Sequence, residues 1–165
     1  MDATKESEAA HIKNPTNAVR KSDRELVVTR TFNAPARLVF EAWTKSELFR
    51  KWWVPKSFGL NLLSCEMDVR VGGGYRLVFA ADPEPMAFFG KYLEVVPNSR
   101  LSWSNEESPD GAITTITLEE KDGKTLLVMI DLYPSKEALD VAMESGSTGG
   151  MPESFTQLDE LLMRG

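Results

Sequence analysis

Histidine and cysteine are almost missing from this 165-residue chain, which has one of each, His11 and Cys65. With its only histidine in a polar N-terminal stretch, a folded domain here can assemble no Ser-His or Cys-His nucleophile pair. A lone cysteine excludes an internal disulfide, and no Cys/His set exists to hold zinc. Lys and Arg number 19 against 25 Asp and Glu, a formal net charge of −6. That balance speaks against broad binding to nucleic acid or anionic membranes, which needs clustered cations. No apolar run reaches the roughly 18 residues that a membrane-spanning helix requires. The N-terminus, MDATKESEAAHIKNP, lacks an apolar core and does not read as a secretory signal, so the expected compartment is the cytoplasm. The first 24 residues also lack any aromatic residue and read as a flexible tail, with a nascent turn of helix near Ala18–Lys21. Residues 25–165 are then the folded domain, of a length that suits a single core.

What is present is a change of period along the chain. ELVVTRTF, residues 25–32, is β-branched and reads as a strand. In APARLVFEAWTKSELFRKWW, Leu38, Val39, Ala42 and Trp43 recur at helical spacing, and Leu48, Phe49, Trp52 and Trp53 repeat it. Two short helices fit, the second starting at Ser46, with Ser46 or Thr44 as the cap. Strand patterns follow for most of the next 80 or so residues, separated by the turn signals DPEP, VPNS, SPDG and KDG. The segment CEMDVRVGGGYRLVF predicts a hairpin across Gly72–Gly74. Val71 would pair with Tyr75, Val69 with Leu77 and Met67 with Phe79, all apolar on one face. The chain closes with a helical piece over about Lys136–Met143, a break at SGSTGG, and a helix from near Met151. In that helix Met151, Phe155, Leu158, Leu161 and Leu162 form an apolar stripe.

The expected architecture is α+β, a helix-grip fold. A curved antiparallel sheet of about seven strands wraps a long C-terminal helix, and two short helices after the first strand close one end. Such a sheet leaves a cavity against the helix. Its expected lining is Trp53, Met67, Tyr75, Leu77, Phe79, Trp103, Ile116, Met129, Asp131, Met151, Phe155 and Leu158. The last strand is ambiguous, because Leu126, Val128 and Ile130 compete with Leu127 and Met129 for the inner face. Only the second choice turns Asp131 inward, as a carboxylate of raised pKa on an apolar wall. Trp43 and Trp52 read as packing residues, and Trp53, just before Val54-Pro55, is the tryptophan expected at the cavity mouth. The acidic groups Glu106, Glu107, Asp110 and Glu119, Glu120, Asp122 lack calcium-loop spacing and read as solvated turns. GGGYR is followed by a strand where a phosphate or dinucleotide loop requires a helix, so no cofactor is expected.

RTFNAPARLVFEAWTKSELFRKWW resembles the opening of the Aha-type family, homologues of the activator of a heat-shock chaperone's ATPase. That family lies within the START-like superfamily of polyketide cyclases and birch-pollen allergens. CEMDVRVGGGYR, GKYLEVVPNSRLSW and GGMPESFTQLDELL are similar to its central hairpin, its Gly-to-Arg-Leu segment and its last helix. The resemblance implies a helix-grip fold with an apolar cavity that holds lipids or other apolar small molecules. It transfers no catalytic residue, since the family shares no catalytic set. Relatives carry Gly-Trp where this chain has Ser154 and Phe155, and often a histidine near Asp131, so a relative's ligand does not carry over.

Three functions are thereby in view. One is binding of an apolar small molecule or lipid. A second is an interaction module for a heat-shock chaperone. The third is a cyclase, dehydratase or hydrolase whose acid–base groups would be Asp131, Tyr75, Tyr92 and Tyr133. Binding is the preferred reading, on the two-faced pattern and the family likeness, and the enzyme ranks last because no nucleophile–base pair is visible. Monomer and homodimer both fit.

Overall fold

A computed structural model describes residues 15–145 and 150–163. One antiparallel sheet of eight strands dominates it, in the order β1-β2-β8-β7-β6-β5-β4-β3. The strands are β1 Asn17–Arg20, β2 Glu25–Phe32, β3 Leu62–Met67, β4 Gly74–Phe79, β5 Met86–Val96, β6 Arg100–Ser104, β7 Ile113–Lys121 and β8 Lys124–Leu132. Helices α1 Ala36–Thr44 and α2 Ser46–Trp52 follow β2. Helices α3 Lys136–Glu144 and α4 Met151–Met163 end the described chain. The helix-grip expectation is met: the sheet curves without closing, and α4 packs against its concave face.

Two expectations about the sheet need correction. Residues 17–20 form an edge strand on β2, where a turn of helix was expected at Ala18–Lys21. The sheet therefore begins eight residues ahead of Glu25. The remaining residues of the expected tail, 1–14, and with them His11, lie outside the described residues, as do 146–149 in the SGSTGG break.

The second correction concerns the glycine hairpin. Cys65 pairs with Leu77 and Met67 with Tyr75, so β3 stops at Met67 and the connection is longer than three glycines. The reason lies in β5. Gly72 donates its N–H to the Tyr92 carbonyl, and the Tyr92 N–H returns to Gly73, so this loop is tied to a third strand. Gly72 has φ of 85°, and a side chain at Gly73 would collide with the Asp68 carbonyl. Because the partners slip by an even number of residues, Met67, Tyr75, Leu77 and Phe79 keep the inner face, and Val71 ends exposed.

Side-chain alternation decides the ambiguous last strand. Leu127 and Met129 are buried and Leu126 is exposed, so Asp131 points inward. Transverse rows of inner residues run across the sheet. Val28, Met129, Ile116 and Leu101 form one, and Leu26, Asp131, Thr114, Trp103 and Tyr92 form the next.

Helix α1 starts after Pro35, and its first N–H, of Ala36, donates to Glu120 Oε1 of β7 at 2.8 Å. A carboxylate from another element thus caps the helix. Lys45 separates α1 from α2, and neither Ser46 nor Thr44 caps: the Thr44 hydroxyl donates back to Phe40. Behind these helices Trp43 is ringed by Phe49, Trp52, Trp53, Trp103 and Phe155, with centroids 4.7–6.4 Å away. Its indole N–H is buried and finds no hydrogen-bond acceptor among the described residues.

Candidate functional site

Between the concave sheet, α2, α3 and the start of α4 lies a cavity of about 610 Å³. Its exposed rim includes Phe58, Leu60, Phe88 and Val141. Of the expected lining, Trp53, Met67, Tyr75, Leu77, Phe79, Trp103, Met129, Asp131 and Met151 face this space. Ile116, Phe155 and Leu158 do not. All three are completely buried in the packed layer between sheet and α4, with neighbouring side chains where the cavity was expected. Trp43, expected only to pack, also contributes a face.

The lip carrying Trp53 is fastened to α4 by polar side chains. Gln157 is buried, and its Nε2 donates to the Trp52 and Val54 carbonyls at 2.8 Å each. Its Oε1 accepts from the Lys56 N–H, also at 2.8 Å. One amide therefore satisfies three backbone groups where the chain leaves α2. Ser154 donates to the Trp53 carbonyl at 2.7 Å, and Glu153 accepts from the Ser57 hydroxyl and N–H. The indole of Trp53 stacks on Phe49, centroids 5.0 Å apart and planes 25° off parallel. Trp52, by contrast, is fully buried and donates its Nε1–H to Ala42.

One wall carries a polar chain across otherwise apolar surface. The Tyr75 hydroxyl donates to the Ser104 carbonyl at 2.8 Å and lies 3.2 Å from Asn105 Oδ1. Asn105 Nδ2 donates to Thr114 Oγ1 at 3.0 Å, and Thr114 donates to Asp131 Oδ1 at 2.7 Å. Thr114 and Asp131 are direct cross-strand partners, which fixes this last contact. Burial pushes the Asp131 carboxyl up to about 6, and the Thr114 hydrogen bond offsets only part of that. Burial also raises the Tyr75 and Tyr92 phenols, and Tyr133 to about 12, so the three remain protonated at neutral pH. The wall thus presents one carboxylate that titrates near pH 6, beside hydroxyl donors and ring faces. Such a carboxyl can exchange a proton with a bound molecule. Of the cavity's hydroxyls, Thr114 is engaged with Asp131, Tyr75 with Ser104 and Ser154 with Trp53.

Asn105, Thr114 and Gln157 were not foreseen. The alternation of AITTITLEE did place Thr114 on the same face as Ile116, a polar residue at an inner position. Among the described residues no helix is long and apolar enough to cross a membrane.

Solved structures share this architecture. A protein of Nitrosomonas europaea is 25% identical with a TM-score of 0.78, over 87% of this chain and 97% of its own. One of Rhodobacter sphaeroides is 24% identical with a TM-score of 0.81, over 90% and 98%, a likeness of fold alone. One of Chromobacterium violaceum is 29% identical with a TM-score of 0.69, over 84% and 96%. No curated protein matches the chain. The profile of the "Activator of Hsp90 ATPase homolog 1-like protein" family matches residues 33–163, which hold six of the eight strands, β3 to β8, and all four helices, and the chain belongs to that family of the START-like superfamily.

Proposed function

We propose that this protein binds an apolar small molecule or lipid in the cavity between sheet and C-terminal helix. The observation that carries the reading is the cavity itself. It has about 610 Å³ of space walled by tryptophan, phenylalanine, leucine and methionine, with a few polar groups gathered on one side. That is the usual make-up of a small-molecule site. Titration with the neutral dye Nile red tests it. Enhanced, saturable emission that a Trp53→Ala exchange weakens is the expected result. Absence of saturable binding overturns the reading. Native mass spectrometry of freshly purified protein would then show the mass of a retained ligand.

The family's name supports a second reading, an interaction module for the Hsp90 ATPase. Enrichment of that chaperone over a charge-matched control protein in a pull-down supports it, and equal recovery excludes it. Any turnover would rest on Asp131, a buried carboxyl raised to about 6, and an Asp131→Ala exchange that left it unchanged would dismiss the catalytic reading. The single cysteine, which cannot form an internal disulfide, supports placing the protein in the cytoplasm. The two sheet edges, β1 and β3, suit either a monomer or an edge-paired homodimer, which light scattering distinguishes.

A further inference from the structure

The charge of the cavity wall is one-sided. Asp131, Glu107 and Asp110 all line it, and no lysine or arginine does among the described residues. Asp131 is the deepest of the three by position. It lies in a row across the sheet, between Leu26 on one neighbouring strand and Thr114 on the other, with Trp103 beyond. Its Oδ1 is held by Thr114, and no donor among the described residues reaches Oδ2. The one buried cation among the described residues, Arg30, is already committed to Asp159. An isolated carboxylate on an apolar wall is costly unless a partner is supplied. Aromatic side chains line the same cavity, Tyr133 two residues along from Asp131 and Trp103 and Tyr92 further along its row, and the faces of such rings attract cations and repel anions.

We propose that the molecule held in this cavity is a cationic amphiphile, whose protonated amine pairs with Asp131 while its apolar body lies against the aromatic rings. The proposal rests on the small-molecule reading above and adds the sign of the ligand's charge. It excludes free fatty acids and other carboxylated hydrophobes as preferred occupants, because their head group would meet three carboxylates without a counter-cation. Glu107, half-buried beside Tyr75, and Asp110 at the rim extend the same negative field outward, which favours entry of a cation.

A matched series tests it: 1-pyrenemethylamine, 1-pyrenemethanol and 1-pyrenecarboxylate, titrated at pH 7 and followed by quenching of tryptophan emission. The expected order is amine tighter than alcohol by about tenfold, with the carboxylate weakest. Asp131→Asn, which keeps an acceptor for Thr114, is expected to bring the amine down to the alcohol's affinity. Should that variant fail to fold, the ranking on the wild-type protein still decides. An alcohol that binds as tightly as the amine, or a carboxylate that binds tightest, overturns the charge assignment and leaves cavity binding standing. Failure of all three compounds and of Nile red overturns cavity binding itself, and the charge assignment with it.

Discussion

The Ser154 hydroxyl lies 2.7 Å from the Trp53 carbonyl, joining the second turn of the last helix to the lip of the cavity. Gln157, one turn further on, holds the residues on either side of Trp53. Ser154→Ala removes one neutral hydrogen bond and is expected to cost about 1 kcal/mol in urea unfolding. Gln157→Leu leaves the Trp52 and Val54 carbonyls and the Lys56 N–H unpaired, and should cost about 3 kcal/mol. If both variants unfold at the wild-type midpoint, this fastening contributes nothing.

Trp52 and Trp53 are adjacent but differ in burial, and alanine should separate them. Trp52→Ala removes a fully buried indole and its bond to Ala42, for about 3–5 kcal/mol. Trp53 is only partly buried and faces the cavity, so Trp53→Ala should stay near 1 kcal/mol while weakening dye binding. Comparable destabilisation by both would make Trp53 a packing residue like its neighbour.

Asp131 gives the unliganded protein a defined pH response. Its carboxyl titrates near 6 when folded and near 3.8 when unfolded, so between those values the native state holds the extra proton. Stability therefore falls as pH rises from about 4 to 6. A two-unit shift corresponds to about 3 kcal/mol. Asp131 keeps some accessible surface toward the cavity, and water there reduces the figure to about 1–2 kcal/mol. Burial raises Glu107 and Asp159 too, adding slope of the same sign, whereas Asp140 and Glu153 are lowered and oppose it. Unfolding free energies of wild type and Asp131→Asn between pH 4 and 7 should converge at the acid end and separate in favour of the variant at pH 7. Parallel curves would refute the assignment.

Arg30 and Asp159 form a pair 3.1 Å apart with almost no exposure, β2 to α4. Arg30 Nε and Asp159 Oδ1 are left without partners, so the pair is incompletely satisfied. Asp159→Ala strands the guanidinium and should cost about 3–5 kcal/mol. Replacing both, as Arg30→Met with Asp159→Leu, should restore most of that loss in the same urea assay. A double variant as unstable as the single one would show that the pair is needed for packing.

The sequence was most readable where one face is buried. Glu25–Phe32, both short helices and the later strands follow their periodicities closely, because burial repeats there every two or every 3.6 residues. Asn17–Arg20 escaped notice because it is a mostly exposed edge strand with a single apolar β-branched residue, held by backbone pairing that needs no pattern. The Gly72–Gly74 register was misread because Tyr92, distant in sequence, sets it. Asn105, Thr114, Gln157 and Glu120 act through partners far along the chain, and residue type alone assigns none of them. Ile116, Phe155 and Leu158 were placed correctly on inner faces, but a face does not distinguish packed interior from empty space.

The strand order has a consequence for how this protein is made. β2, near the N-terminus, has β8 as its inner neighbour, so Leu26, Val28 and Phe32 wait for residues 124–132 before they are flanked on that side. The floor of the chamber, α4, is synthesised last of the described elements. Pairing across so long a stretch is slow compared with local folding. During translation the tryptophan-rich segment and the open sheet are therefore exposed together for most of the chain's synthesis. At that stage a chaperone can engage the chain as a folding client, so the pull-down that tests partnership has to use completed, folded protein.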